Sequence, residues 1–304
     1  MLIQRSPSRV LAGFTLLAWS AFALASFPSV NSADAQDPDS FLDVVTYNIR
    51  YANRGDGEDF WDNRAQTVSR FLAEFDVAGL QEVTAGQLDF LGSELSEHGW
   101  YGLGRDDGKR GGEHAPIFYR KDRFDVVDKG TFWLSSTPET VGKAGWDAAL
   151  PRTCTWMLLK DKQTGQTWWF ANTHFDHRGV RAREESAKLV RRVALQQERD
   201  VPVVIMGDFN CTPGSDPYRA LTSGSKLADA REVSVVDATG PNSTWNGFSE
   251  IVPGRVIDHI FVSGPVVVHK LNILDPKTES GRFGSDHLPV HARVQAKTLD
   301  ATER

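Results

Sequence analysis

Cysteine is scarce in this chain. Its 304 residues include only Cys154 and Cys211, which excludes the disulfide framework that stabilises many small secreted domains. The sequence also lacks the HExxH motif and the paired Cys/His spacing of common zinc sites. The two thiols could still pair with each other in an exported protein, but we expect both to be free and buried.

An excess of positive charge is lacking as well. Lys and Arg total 34 against 40 Asp and Glu, a net charge of −6. Proteins that bind long duplex DNA through its phosphates usually present a basic face. The composition therefore disfavours extended duplex nucleic acid as the substrate, and it favours a small phosphorylated compound or a short oligomer. Internal repeats and long linkers are also absent, so we expect one domain and a monomer.

The longest apolar run lies at the N-terminus. Arg5 and Arg9 flank its start, the apolar segment covers residues 10–25, and an Ala-Asp-Ala sequence follows at residues 33–35. This order is typical of a secretory signal peptide, which we assign to residues 1–35, with the mature domain at residues 36–304 in the periplasm or outside the cell. An uncleaved membrane anchor is the alternative, since about 20 apolar residues span a bilayer. Cleavage would leave 32 basic and 39 acidic residues.

Short apolar runs rich in Val, Ile, Phe and Trp predict strands. Ten are expected, at Leu42–Ile49, Val77–Gln81, Ala115–Arg120, Phe124–Leu134, Thr155–Leu159, Thr167–Thr173, Val201–Gly207, Val256–Val262, Val266–Leu274 and Leu288–Val294. An apolar step of three to four residues predicts helices at Trp61–Ala73, Thr84–Leu95 and Arg181–Gln196. Strands outnumber helices and some are adjacent in the chain, which indicates an α/β protein with mixed sheets.

Five polar clusters lie at or just after the ends of these runs, where open sheets present functional groups to a crevice. They contain Asn48; Glu82; His174 and Asp176; Asp208 and Asn210; and Asp258 with the Asp286-His287 pair. Carboxylate and amide oxygens suit a hard cation, and an imidazole beside a carboxylate suits proton transfer. Each cluster alone is a weak signal, because an Asn at a strand end is more often a turn former.

Together the clusters carry a stronger signal. Their order along the chain resembles that of the endonuclease/exonuclease/phosphatase superfamily, the group that includes deoxyribonuclease I, from Asn48 to His287. The resemblance implies a four-layer α/β sandwich in which two mixed β-sheets pack face to face between helices. It also implies a metal-dependent phosphoric ester hydrolase that uses water as the nucleophile, with a phosphodiester as the expected substrate. Nuclease, lipid phosphodiesterase and sugar- or inositol-phosphate phosphatase remain open as its activity.

The resemblance further implies residue roles. Glu82 would be the principal ligand of a divalent cation, usually Mg²⁺ with Mn²⁺ or Ca²⁺ as alternatives. Asn48 and Asp286 would assist it. Asp208 would align or deprotonate the attacking water, and Asn210 would contact the phosphate.

Two imidazoles would flank that phosphate, each backed by its own carboxylate. Asp258 would orient His287, and Glu113 would orient His174, because residues 112–119 resemble the family segment that carries this Glu. A carboxylate beside a ring raises the pKa of the imidazole. We therefore expect both rings to be protonated and to donate to phosphate oxygens.

Several further residues are candidates for binding the substrate. Residues 131–135 and 145–152 resemble a bacterial branch of the superfamily. Arg50 and Arg152 are expected at the phosphate, because a guanidinium offers a fork of donors. Trp146 and Trp245 are assigned to the pocket wall, with core packing as the alternative. Asp176 could bind substrate hydroxyls or hold the end of its own strand.

A binding protein that kept the scaffold and lost catalysis is the competing function. Each position that the resemblance makes catalytic carries a competent residue, and a degenerate copy is expected to have lost at least one. The sequence therefore favours an enzyme.

The N-terminal pattern makes a direct prediction. When the full chain is expressed in a bacterium, the mature protein should begin near Gln36 and be recovered outside the cytoplasm. N-terminal sequencing of the fractionated protein checks this. Soluble cytoplasmic protein that still begins at Met1 would contradict it.

Overall fold

The computed structural model describes residues 40–197, 200–224 and 226–297, so the signal peptide predicted at residues 1–35 lies outside the described residues. These ranges contain twelve strands, four α-helices and a 3-10 helix. In chain order they are β1 (Phe41–Asn48), the 3-10 helix (Arg54–Asp59), α1 (Trp61–Leu72), β2 (Val77–Gln81), α2 (Ala85–Glu94), β3 (His98–Tyr101), β4 (Ile117–Arg120), β5 (Phe124–Trp133), β6 (Thr153–Asp161), β7 (Thr167–His174), α3 (Val180–Ala194), β8 (Val203–Asp208), α4 (Asp216–Thr222), β9 (Ala228–Asp229), β10 (Asp258–Ser263), β11 (Val266–Ile273) and β12 (Val290–Ala296).

The strands form two sheets of six. The first has the order β11-β12-β1-β2-β4-β3 and the second the order β5-β6-β7-β8-β10-β9. Each sheet contains one parallel pair, β1 with β2 in the first and β7 with β8 in the second, and its other neighbours are antiparallel. Both sheets are therefore mixed, as the sequence predicts.

Alternation along the strands decides which side chains form which layer. In β1, Leu42 and Val44 point into the core between the two sheets, whereas Val45 and Tyr47 point outward. The outward side chains pack with apolar residues of α1 and α2, and α3 and α4 cover the outer face of the second sheet. The four-layer α/β sandwich is thus confirmed. None of the helices in the described ranges is long and apolar enough to cross a membrane.

The predicted elements agree closely with the structure. All ten strands and all three helices occur, with ends displaced by at most two residues. The sequence pattern did not predict the short strands β3 and β9 or the helix α4. Cys154 and Cys211 are free and buried, as expected.

Two strands that are adjacent in the chain belong to different sheets. β4 pairs with β2 and β3, whereas β5 pairs with β6, so the short turn between β4 and β5 crosses from one sheet to the other. Arg123 lies in this turn, and its guanidinium is 3.2 Å from Asp76 and 3.4 Å from Asp161. These ion pairs join the ends of the two sheets.

A buried polar cluster joins the sheets near the ends of β2 and β7. Gln81 donates to Asn172 Oδ1 at 2.6 Å, and Asn172 Nδ2 donates to the carbonyls of Leu80 and Pro116 at 2.7 and 2.8 Å. Buried polar groups are stable only when their hydrogen bonds are satisfied, so this cluster favours one alignment of the sheets. Gly79 leaves room for it, because a Cβ there would lie 2.9 Å from Asn172 Cγ and Oδ1.

Gly79→Ala should therefore destabilise the fold. The added methyl group must displace a buried, fully bonded amide, and overpacking of this kind costs about 1–3 kcal/mol. The matched control is Gly86→Ala in α2, where a Cβ would meet nothing within 4 Å and should leave stability unchanged or slightly raised. Urea unfolding of the two variants checks this, and equal midpoints would contradict it.

Candidate active site

Strand ends of both sheets converge on one cavity. Asn48 ends β1, Glu82 directly follows β2, and His174, Asp208 and Asp258 occupy neighbouring register positions on β7, β8 and β10. The cavity has a volume of about 400 Å³. Its wall contains most of the predicted site residues: Arg50, Glu82, Glu113, Arg152, His174, Asp208, Asn210, Trp245, Asp286 and His287. Asn48, Asp176 and Asp258 are buried outside this wall.

Asn48 links the two sheets within the site. Its Nδ2 donates to Glu82 Oε1 at 3.1 Å and to Asp208 Oδ2 at 3.0 Å, and its Oδ1 accepts from the backbone N–H of Arg50 at 3.0 Å. The side chain therefore positions the two carboxylates. Because the amide oxygen has a second lone pair, the expected role of Asn48 as a metal ligand stays a prediction.

The backbone at the site is strained. Arg50, Glu82 and Asn210 have φ angles of 58°, 61° and 47°, a region that costs a non-glycine residue about 1–3 kcal/mol. The surrounding contacts must supply that energy. Asp208 Oδ1 accepts from the Asn210 N–H at 2.9 Å, and Glu82 Oε2 accepts from the Tyr51 N–H at 3.2 Å.

A buried arginine supports two of the site loops. Arg64 of α1 is 1% exposed, and it donates to the carbonyls of Ile49, of Arg50 at 2.9 Å and of Gly284 at 3.1 Å. It therefore ties the loop after β1 to the loop that leads to Asp286. Arg64 is not among the predicted site residues, although an arginine on the apolar face of a predicted helix is a usable signal in the sequence.

The expected contact between His287 and Asp258 is present. Its Nδ1 lies 2.9 Å from Asp258 Oδ2, and its Nε2 lies 3.8 Å from Asp208 Oδ2. Burial disfavours the charged ring, but the Asp258 and Asp208 carboxylates outweigh this effect and raise the pKa of His287 to about 10. Burial and the neighbouring Asp258 also raise the pKa of Asp208. The ring of His287 is therefore an imidazolium at neutral pH.

Glu113 lies near His174, as expected, but does not hydrogen-bond to it. Glu113 Oε2 lies 4.0 Å from His174 Nδ1, beyond hydrogen-bonding distance, and is 2.6 Å from Arg105. A guanidinium nitrogen of Arg152 lies 2.9 Å from His174 Nδ1. A guanidinium can only donate, so the ring accepts at Nδ1 and carries its proton on Nε2, which is 3.4 Å from Asp208 Oδ2. Burial and then Arg152 lower the pKa of His174 well below its usual value, so the ring is neutral.

Asp176 holds its own strand end. It is 1% exposed, and its Oδ1 accepts from the backbone N–H groups of Arg178 at 3.0 Å and Gly179 at 2.6 Å, just before α3. Of the two roles expected for Asp176, these contacts support holding the strand end rather than binding substrate hydroxyls. Arg152 is 4% exposed, and its guanidinium also contacts His177 Nδ1 at 3.1 Å.

The two tryptophans differ. Trp146 packs against the apolar cluster outside the second sheet, so it belongs to the core and not to the pocket wall. Trp245 lines the cavity, and the Arg255 guanidinium lies 3.7 Å from the centre of its ring. Arg255 is not among the predicted site residues.

Two groups of side chains could hold a metal ion. Glu82 and Asp286 face Arg50, whose Nη1 lies 4.0 Å from one carboxylate and 3.9 Å from the other. The positively charged guanidinium of Arg50 therefore lies between the two carboxylates. The two carboxylates offer only oxygen ligands, which suit Mg²⁺. The second group is Asp208, Asp258 and His287, whose ligand atoms lie within 4.8 Å of one another.

Comparisons with known proteins agree with this geometry. An endonuclease/exonuclease/phosphatase from Bacteroides vulgatus is 39% identical, with a TM-score of 0.80 over 84% of this chain and 99% of that one. A mannosyl-6-phosphatase from Bacteroides thetaiotaomicron is also 39% identical, with a TM-score of 0.77 over 83% of this chain and 99% of that one.

A more distant relative shares part of the chain. Carbon catabolite repressor protein 4 homolog 2 of Arabidopsis thaliana is 26% identical in an alignment of 197 positions that covers 54% of this chain and 33% of that protein. This chain thus matches only a third of the length of that relative. The family description that matches residues 45–287 is "Endonuclease/Exonuclease/phosphatase family". This protein belongs to the endonuclease/exonuclease/phosphatase family, whose members hydrolyse phosphoester bonds and depend on a divalent metal.

Proposed function

We propose that the protein is an exported, Mg²⁺-dependent phosphatase that hydrolyses the phosphate monoester of a small sugar. The observation that carries the proposal is that two imidazoles lie near Asp208 Oδ2, with His174 Nε2 at 3.4 Å and His287 Nε2 at 3.8 Å, in a cavity lined by acidic and basic side chains. A base flanked by two proton donors is what hydrolysis of a phosphoric ester by water requires.

The substrate class rests on similarity and on size. The mannosyl-6-phosphatase from Bacteroides thetaiotaomicron is 39% identical over nearly its whole length, which favours a sugar monoester over the diester expected from the sequence. A cavity of about 400 Å³ accommodates a single sugar phosphate, and the Trp245 ring offers a flat apolar wall to a sugar. The net charge of −6 argues against a long duplex.

The residues of the site suit distinct parts of the reaction. Glu82 and Asp286 would hold the cation, which supplies positive charge to the phosphate when bound. Asp208, held by Asn48 and by the Asn210 N–H, accepts a proton from the attacking water.

The two imidazoles serve as different kinds of donor. His287 is charged and can pass its proton to the departing sugar oxygen, because Asp258 holds its far nitrogen at 2.9 Å. His174 is neutral and can donate its Nε2 proton to a non-bridging oxygen, because Arg152 occupies its Nδ1. Water adds to phosphorus as the ester bond breaks, and the products are inorganic phosphate and the free sugar.

A substrate panel tests this function. With Mg²⁺, the purified mature chain should hydrolyse sugar monophosphates faster than bis(p-nitrophenyl) phosphate, duplex DNA or phospholipid. Glu82→Gln should lower kcat/KM by a factor of about 100 or more, because a charge-stabilising contact is lost. The matched control is Glu74→Gln, an exposed glutamate before β2 that should retain full activity.

Two results would overturn parts of this proposal. A panel in which only diesters or nucleic acid are cleaved would refute the monoester assignment. If Asp208, Asp258 and His287 hold the metal instead, Glu82→Gln will leave the Mg²⁺ concentration for half-maximal activity unchanged, and Asp258→Asn will raise it.

The dyad of His287 and Asp258 makes a graded prediction. His287→Ala should lower kcat by about 100-fold to 10,000-fold, because the charged donor is lost. Asp258→Asn should cost only about 10-fold to 100-fold, because the ring remains and loses its orienting carboxylate. Steady-state kinetics at saturating Mg²⁺ and substrate measure both losses. Equal losses of kcat in the two variants would show that Asp258 does more than orient the ring of His287.

A further inference from the structure

A second cavity adjoins the active-site cavity and has a volume of about 450 Å³. The two cavities share His177, Asn210, Arg255 and Ile257 as walls, so they form one continuous groove. The second cavity continues from Asn210 past Cys211 to the start of α4, where Ser215 and Pro217 line it. A single sugar phosphate in the first cavity would leave this space for another part of the substrate.

The charged groups of the second cavity are mainly basic. Arg183 and Arg255 line it, and in the described part of the chain neither has a carboxylate within 4.0 Å. Arg183 uses one nitrogen to donate to the Asp176 carbonyl at 2.9 Å. The acid in the wall, Asp216, is paired with Arg219. Two guanidinium groups without carboxylate partners therefore face one cavity of an acidic protein.

The positive charge of the second cavity points to a separate role, because the proposed hydrolysis of the phosphate ester does not need it. In the proposed reaction the phosphate to be cleaved would lie beside Asp208 and the two imidazoles, and Arg183 does not line that cavity. Arg255 lies at the junction of the two cavities, with its guanidinium stacked on the Trp245 ring at 3.7 Å. Stacking holds a guanidinium in a fixed orientation while its N–H groups remain available to an anion.

We propose that the second cavity is an anion subsite, and that the preferred substrate is a small sugar phosphate with a second phosphate or carboxylate group. The inference rests on the proposed phosphatase function and narrows its substrate class. Arg183 and Arg255 bind the second anionic group, because a guanidinium matches the geometry of both phosphate and carboxylate.

Competition measurements test the subsite. The enzyme hydrolyses p-nitrophenyl phosphate as the reporter, while fructose 6-phosphate and fructose 1,6-bisphosphate compete with it. The bisphosphate should bind about tenfold or more tightly than the monophosphate, because one additional charge-assisted contact corresponds to about a factor of ten. Arg183→Gln should remove most of this difference, and Arg183→Lys should retain part of it.

The control variant is Arg181→Gln. Arg181 is an exposed residue of the same helix that lines neither cavity, so this variant should keep the full difference. Thermal denaturation of each variant verifies folding. Hydrolysis of p-nitrophenyl phosphate by Arg183→Gln should stay within about threefold of the parent, since that substrate has one phosphate.

The outcomes separate the subsite from the proposed function. If p-nitrophenyl phosphate is hydrolysed but the two sugars compete equally, or Arg183→Gln leaves the difference intact, the subsite is wrong and the phosphatase function stands. If no monoester is hydrolysed, the proposed function fails. Calorimetric titration of the same two sugars then still decides whether the cavity prefers the bisphosphate.

Discussion

The amide nitrogen of Asn48 donates to Glu82 on its own sheet and to Asp208 on the facing sheet. These contacts make the active site depend on how the two sheets are stacked, because the acids that would serve the metal and the water come from different sheets. Near the same end of the sandwich, Gln81 and Asn172 form a second buried link at 2.6 Å. An unsatisfied buried amide costs free energy, so both links penalise any other alignment of the sheets.

Burial and neighbouring side chains give the two histidines of the site opposite protonation states. His287 and His174 lie on either side of Asp208 and are both buried. The ring of His287 contacts a carboxylate, which raises its pKa to about 10, whereas burial and the guanidinium beside His174 lower its pKa. Charge–charge interactions are strong where water is excluded, so one neighbouring side chain is enough to decide the protonation state. The site thereby obtains one charged donor and one neutral donor from the same residue type.

Charge is distributed unevenly in this protein. The chain as a whole is acidic, with a net charge of −6, yet arginines lie along the groove at Arg50, Arg152, Arg183 and Arg255. An acidic surface repels long polyanions, while the arginines in the groove attract a compact anion that can enter it. This combination agrees with the proposed preference for small, highly charged phosphoesters over nucleic acid.

The helices and strands, and the order of the catalytic residue types along the chain, could be predicted from the amino-acid sequence alone. Strand ends were predicted within two residues, because apolar runs and the turns between them are local features. The resemblance that joined Asn48 through His287 into one site is also contained in the sequence, since it depends on residue types and their order.

Only the tertiary structure decided how side chains pair within that site. Whether Glu113 or Arg152 contacts His174, and whether Asn48 presents oxygen or nitrogen to the acids, depends on differences of about an ångström between distant segments. The same holds for β4 and β5, which are adjacent in the chain and lie in different sheets. Local propensity contains no information about such long-range contacts, because they arise from the packing of the two sheets.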